Sequence, residues 1–160
     1  MGFFVRIEDN QVDVDYDITP LGMLNNAHVW NEIYKQNIIH SDLNYKAVAI
    51  YCFLISLEMY LKAYLIFLDK NFSKQKKLKN LGHNFILIFK KIKKRAPRDF
   101  ANQIESTLNK YNLLINDFSL LRYPKRGDKI NIHEEIFSGN HQIYSIFNLI
   151  EKEIKKSKNR

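Results

Sequence analysis

The sequence predicts an all-α protein, a bundle of five helices around one apolar central helix, with a short strand or hairpin in front of it. Three observations point there. Apolar residues recur at three- and four-residue spacing along most of the 160 positions. One run, Ala47 to Leu68, is apolar almost all the way round a helix. Only five Gly and three Pro punctuate a chain that is 46% hydrophobic and 13% aromatic, which describes a globular chain and not a disordered or fibrous one. This length suits a single domain over residues 1–160, an extended arm at 1–18 followed by a bundle at 19–157.

The arm alternates strictly, with Val12, Val14, Tyr16 and Ile18 separated by Asp13, Asp15 and Asp17, and Asp9-Asn10 offers the turn of a hairpin. The aspartates resemble the opening of a calcium loop, but its sixth position is Ile18 where Gly is needed and its twelfth is Leu24 where Glu is needed. A solvated strand face is the better reading. Thr19-Pro20 then caps and starts a first helix to about Ile39, which buries Leu24, Ala27, Trp30 and Tyr34. Ser41-Asp42 caps a second, about Leu43 to Asp69. The polar stretch Lys70 to Asn80 reads as a mobile basic loop.

Gly82 precedes a third helix, His83 to Arg95, in which Phe85, Ile88, Phe89 and Ile92 form the apolar stripe and Lys90, Lys91 and Lys94 take other faces. Pro97 opens a fourth whose Phe100, Ile104, Leu108, Leu114, Phe118 and Leu121 keep helical spacing until Tyr123-Pro124. An irregular stretch from Pro124 to Gly139 leads to a last helix carrying Ile143, Ile146, Phe147, Ile150 and Ile154.

The opening MGFFVRIEDN has no cationic leader and no small-residue cleavage site, and Arg6 stands where a myristoylation signal wants Ser or Thr. The Ala47 to Leu68 run is long enough to span a bilayer, yet Glu58 and Lys62 sit at its centre, and each charge there costs about 2.5–3.5 kcal/mol on insertion scales. A cytoplasmic protein that does not enter a membrane is expected. The single cysteine, Cys52, lies inside the same run and excludes an internal disulfide and a cysteine-based zinc cluster. His28, His40 and His141 stand apart from Cys and carboxylates at ligand spacing, so no metal and no cofactor is expected.

Net charge is +8, and its placement says more than its size. From Lys70 to Arg98 there are eleven Lys or Arg and no Asp or Glu, while the first 32 residues hold six acids against Arg6 alone. Such polarity predicts a phosphate-binding face or an acidic-to-basic contact between subunits. Glu58 and Lys62, four apart in the favourable orientation, suit a structural pair tethering packed helices, with a role in a site as the alternative.

Four signals occur in order: SLEMYLKAYL in the long apolar helix, a basic loop, LGHNF opening the next helix, and LLRYP closing a long one. Together they resemble the HEPN superfamily, the higher eukaryotes and prokaryotes nucleotide-binding domain, over about Leu43 to Ile154. The resemblance implies a four- or five-helix up-and-down bundle, a homodimer, and association with RNA or nucleotide. It also implies a metal-independent endoribonuclease of a toxin-antitoxin or defence system, with a cognate antitoxin or nucleotidyltransferase as partner. The family's Arg and His, with four to six residues between them, fit here only at Arg126 and His133, at the upper limit of that spacing and with Gly127-Asp128 among the six.

The chemistry of such a pair is simple: a histidine moves a proton to or from a ribose oxygen while an arginine clamps the phosphate. A solvated loop is the competing reading of the same two residues. His83 suits either a helix cap or packed contact, or a phosphate site; Arg122 and Tyr123 either fix a helix end, with Arg122 paired to an acid such as Glu58, or line the family's cleft. With Lys62, Lys90, Lys91 and Lys94 they complete the expected nucleic-acid or nucleotide site. Three functions compete: an RNA endonuclease, a non-catalytic module that binds RNA, nucleotide or an acidic partner protein, and a structural contact between the basic segment and the acidic arm of a second copy.

Overall fold

The structure, a computed structural model, describes residues 2–8, 11–114, 133–139 and 142–156, with side chains from Ile18 onward except that of Gln75. Its body is all-α. Ahead of the helices, β1 (Gly2–Glu8) and β2 (Gln11–Asp17) pair antiparallel, with Val5 opposite Val14 and Glu8 opposite Gln11. Helix α1 (Pro20–Ile38) starts where the sequence places it: the Thr19 Oγ1 accepts the Gly22 N–H at 3.0 Å and Pro20 fills the first turn, where a missing N–H goes unused. Leu24, Ala27 and Tyr34 are buried as expected; Trp30 is only partly covered.

Helix α2 (Leu43–Leu68) is capped by Asp42, whose Oδ1 accepts the Asn44 N–H at 2.7 Å. It is long and apolar enough to cross a membrane, but 83% of its most apolar stretch is buried inside the fold. That burial explains its composition. Helices α1, α4 (Phe85–Lys93) and α7 (Ile143–Lys156) pack on it, so between Ala49 and Ile66 nearly every position faces another helix and the one-sided stripe of a surface helix would leave core unfilled. Tyr60 stacks on Phe147 at 3.9 Å between ring centres, and Tyr64 on Phe100 at 4.7 Å, joining α2 to α7 and to α5 (Arg98–Lys110).

The expected loop at residues 70–80 is instead a 3-10 turn, Lys70–Ser73, followed by a short helix α3 (Gln75–Leu81). Phe72, Leu78 and Leu81 are buried, and these three anchors hold the segment down despite its lysines. Helix α4 (Phe85–Lys93) begins two residues later than expected, because Asn84 and not His83 caps it, its Oδ1 accepting the Leu87 N–H at 2.9 Å. Its stripe of Phe85, Ile88, Phe89 and Ile92 is buried as the spacing requires.

Helix α5 (Arg98–Lys110) stops well short of Tyr123. The chain turns at Tyr111–Leu114, with Asn112 in the left-handed region at φ 59°, a conformation that Asn tolerates better than other non-glycine residues. Phe118 and Leu121 lie outside the described residues. Within the stretch read as irregular, Glu134–Ser138 forms a one-turn helix, α6, closed by Gly139 at φ 73°. The Tyr34 hydroxyl donates to the Ile136 carbonyl at 2.7 Å and fixes α6 over α1. Helix α7 (Ile143–Lys156) buries all five of its expected apolar residues. Among the described residues seven helices stand where five were expected, the additions being the short α3 and α6.

Candidate nucleic-acid interface

The apolar stripe of α4 fixes where its cations go. With Phe85, Ile88, Phe89 and Ile92 turned into the core, Lys90 and Lys94 are exposed and Lys91 is half-buried beside them. Leu87, Lys90, Lys91, Lys93 and Lys94 line a shallow cleft of about 370 Å³. Lysines of the preceding turn and α3 (Lys70, Lys74, Lys76, Lys77 and Lys79) are also exposed. Of the eleven cations in this segment, Lys93 and Arg95 are the two that pair with a carboxylate among the described residues, Lys93 with Glu105 at 2.8 Å and Arg95 with Asp69 at 3.0 Å. Asp69 also accepts the Asn71 N–H; that bond, with Arg95, holds its carboxyl below the usual range.

Two of the motifs read from the sequence meet in space. Lys62 Nζ lies 2.7 Å from Glu58 Oε1, and His83 Nδ1 lies 2.6 Å from Glu58 Oε2, so one carboxylate from α2 holds both cation-forming groups. Glu58 and Lys62 are buried at 3% and 8% exposure, while a third of the His83 side chain reaches the surface. Burial alone would push the Glu58 carboxyl up; the His83 hydrogen bond and the Lys62 ammonium outweigh it and hold the group below its ordinary value. His83 therefore makes a packed polar contact, and the cap of α4 is Asn84. Arg122, Tyr123 and Arg126 lie outside the described residues.

His133 is described, and its Nδ1 accepts the Glu135 N–H at 3.3 Å as the cap of α6, with the ring edge-on to Tyr111 at 5.4 Å. In that state the neutral ring carries its proton on Nε2. To take a proton at Nε2 as a general base the ring would need its own proton on Nδ1, which would end the cap.

Other polar groups met without warning from the sequence. The Tyr111 hydroxyl donates to Glu135 Oε2 at 2.8 Å and accepts the Gln142 N–H at 2.7 Å, joining the end of α5 to α6 and α7. Tyr60 donates to Glu151 Oε1 at 2.8 Å, and His28 Nε2 lies 3.1 Å from the same oxygen. Burial first, then the Glu151 carboxylate, drives the Tyr60 hydroxyl pKa strongly upward. These partners are 24 to 123 residues apart in the chain, with no local spacing to reveal them. No group of three or more His, Cys, Asp or Glu among the described residues is placed to hold a metal ion.

No family model, no curated protein and no solved structure matches this chain.

Proposed function

We propose that the protein is a HEPN-like RNA-binding helical module whose contact surface is the basic face formed by the Lys70–Ser73 turn, α3 and α4. One observation carries the reading: nearly all the cations of this face lack a carboxylate partner within the described structure, in a chain whose other charged residues are acidic on balance. Lysines that serve folding are spent on neighbouring acids, whereas lysines that serve a polyphosphate stay open to it. Binding of this kind tracks the sugar-phosphate backbone and releases counterions, so it is salt-sensitive and weakly selective for sequence.

The buried Glu58, Lys62 and His83 node supports this face from beneath, because His83 immediately precedes Asn84 and so ties the start of α4 to α2. The endoribonuclease reading asks His133 to move protons through a ring that also caps α6, and the binding reading makes no such demand. The module needs neither metal nor cofactor to bind RNA.

The test is binding of fluorescently labelled single-stranded RNA by the wild type, by the Lys90→Glu/Lys91→Glu/Lys94→Glu triple variant, and by Lys152→Glu on α7 as a control. The triple variant should lose at least about tenfold in affinity, and Lys152→Glu should bind like wild type. Equal binding by all three would overturn the assignment of this face. Incubating the same RNA with wild type and His133→Ala in EDTA separates binding from cleavage: intact RNA fits a module, and cleavage lost in His133→Ala fits the enzyme.

A further inference from the structure

At the Lys70–Ser73 turn the basic face adjoins a pocket of different character. Ile18 and Pro20 around the start of α1, Ile66 and Phe67 in the last turn of α2, and Lys70 and Ser73 of the turn itself line a space of about 510 Å³. That volume lies within the range of sites that hold a small organic group. Most of the wall is apolar and it is within reach, since Ile18, Pro20 and Phe67 are only half-buried. Lys70 and Ser73, both exposed, stand at its mouth. No carboxylate is among the described residues that line it. The acid nearest in the chain, Asp69, is held by Arg95 at 3.0 Å and by the Asn71 N–H.

The turn joins this pocket to the lysines of α4. Between Lys70 and Ser73, Phe72 is buried, and the Arg95 guanidinium lies 5.1 Å from the centre of its ring. Arg95 follows Lys94 at the end of α4. One turn of chain thus carries the mouth of the pocket on one side and meets the end of the lysine face on the other. A single strand of RNA presents two kinds of surface, charged phosphates and flat bases freed from pairing. The lysines of α4 suit the first. They offer nothing to the second, whereas the pocket offers an aromatic ring among aliphatic side chains.

We propose that this pocket takes one unstacked base of a single-stranded RNA, laid against Phe67, while the adjoining phosphate meets Lys70 and the following ones run along α4. The inference rests on the RNA-binding reading of the basic face and adds a base contact to it. The described lining has no amide or carboxylate side chain to read base edges. The pocket therefore tolerates every base and favours an unpaired strand over a duplex.

The experiment measures, by fluorescence anisotropy with the whole protein, the affinity of two labelled strands of equal length: an RNA oligonucleotide, and the same ribose-phosphate backbone made of abasic residues. Wild type should bind the base-bearing strand at least about fivefold more tightly, the effect of one stacked base. Phe67→Leu, which keeps apolar volume and removes the ring, should lose that preference. Ser73→Leu obstructs the mouth from an exposed position and should lose it too, which keeps the test sound even where Phe67→Leu impairs folding. The triple lysine variant of α4 should weaken both strands alike and keep the preference. Equal wild-type affinity for the two strands, or a preference unchanged in both leucine variants, would overturn the pocket and leave the basic face standing. Binding of neither strand would overturn both. Decanoate that binds wild type but not Ser73→Leu, with the two strands bound alike, would give the pocket to an acyl chain and overturn the proposal.

Discussion

In the Glu58 carboxylate, burial opposes ionisation while Lys62 and His83 favour it, and the partners prevail. A carboxyl whose folded pKa is lowered contributes stability above its unfolded value of about 4.3 and loses it as pH falls through the folded value. Glu58→Gln strands the buried Lys62 charge and should destabilise the fold by about 3 kcal/mol at pH 7. Urea unfolding at a series of pH values checks the sign: the gap between wild type and Glu58→Gln should narrow below about pH 4, and a gap constant down to pH 2 would assign the loss to packing alone. Tyr111→Phe removes the hydrogen bonds to Glu135 and to the Gln142 N–H and should cost about 1–3 kcal/mol, read as a lower urea midpoint with unchanged slope. Of these residues only the Glu58–Lys62 pair was legible from spacing. His83 stands 25 positions from Glu58 and Tyr111 stands 24 from Glu135, and contacts made by folding back leave no periodicity.

The helices that the sequence defined best are those with both an apolar stripe and a start signal. Thr19-Pro20 and Asp42 mark α1 and α2 correctly, and the stripe of α7 holds at every expected position. One element and one boundary escaped the spacing for different reasons. The Lys70–Ser73 turn and helix α3 carry so many lysines that their three anchors, Phe72, Leu78 and Leu81, look sparse, although they suffice to bury one side of the segment. Helix α5 ends early because Asn112 adopts a left-handed conformation while the apolar spacing runs on past it, and spacing cannot register a turn that keeps Leu113 buried and Leu114 partly so. The element boundaries also make a prediction. Gly82 and Gly139 both have positive φ, but a Cβ at Gly139 would meet Ile38 Cγ2 at 3.3 Å, whereas nothing lies within 4 Å of one at Gly82. Gly139→Ala should therefore cost about 1–2 kcal/mol of left-handed strain plus what the Ile38 contact adds, while Gly82→Ala, at φ 55° and ψ −140° outside the left-handed helical region, should cost about 1–3 kcal/mol from the backbone alone. Thermal melting of the two variants compares them directly.

Across the whole molecule the charge is segregated as the sequence implied: an acidic arm, a basic face on α3 and α4, and a central helix whose apolar surface is enclosed by its neighbours. Which lysines stay unpaired was not legible, because Lys93 and Arg95 find Glu105 and Asp69 only once α5 and the end of α2 are folded against α4. The pocket beside the Lys70–Ser73 turn was equally hidden, its lining drawn from the start of α1 and the end of α2. The central claim is that the face of α4 binds RNA through its phosphates, and the most direct measurement is RNA affinity across a salt series for wild type and the Lys90→Glu/Lys91→Glu/Lys94→Glu variant. Each phosphate contact contributes about −0.7 to the slope of log affinity against log salt for a single strand, so removing three cations should flatten the slope by about 2. An unchanged slope in the variant, or wild-type binding indifferent to salt, would contradict the claim.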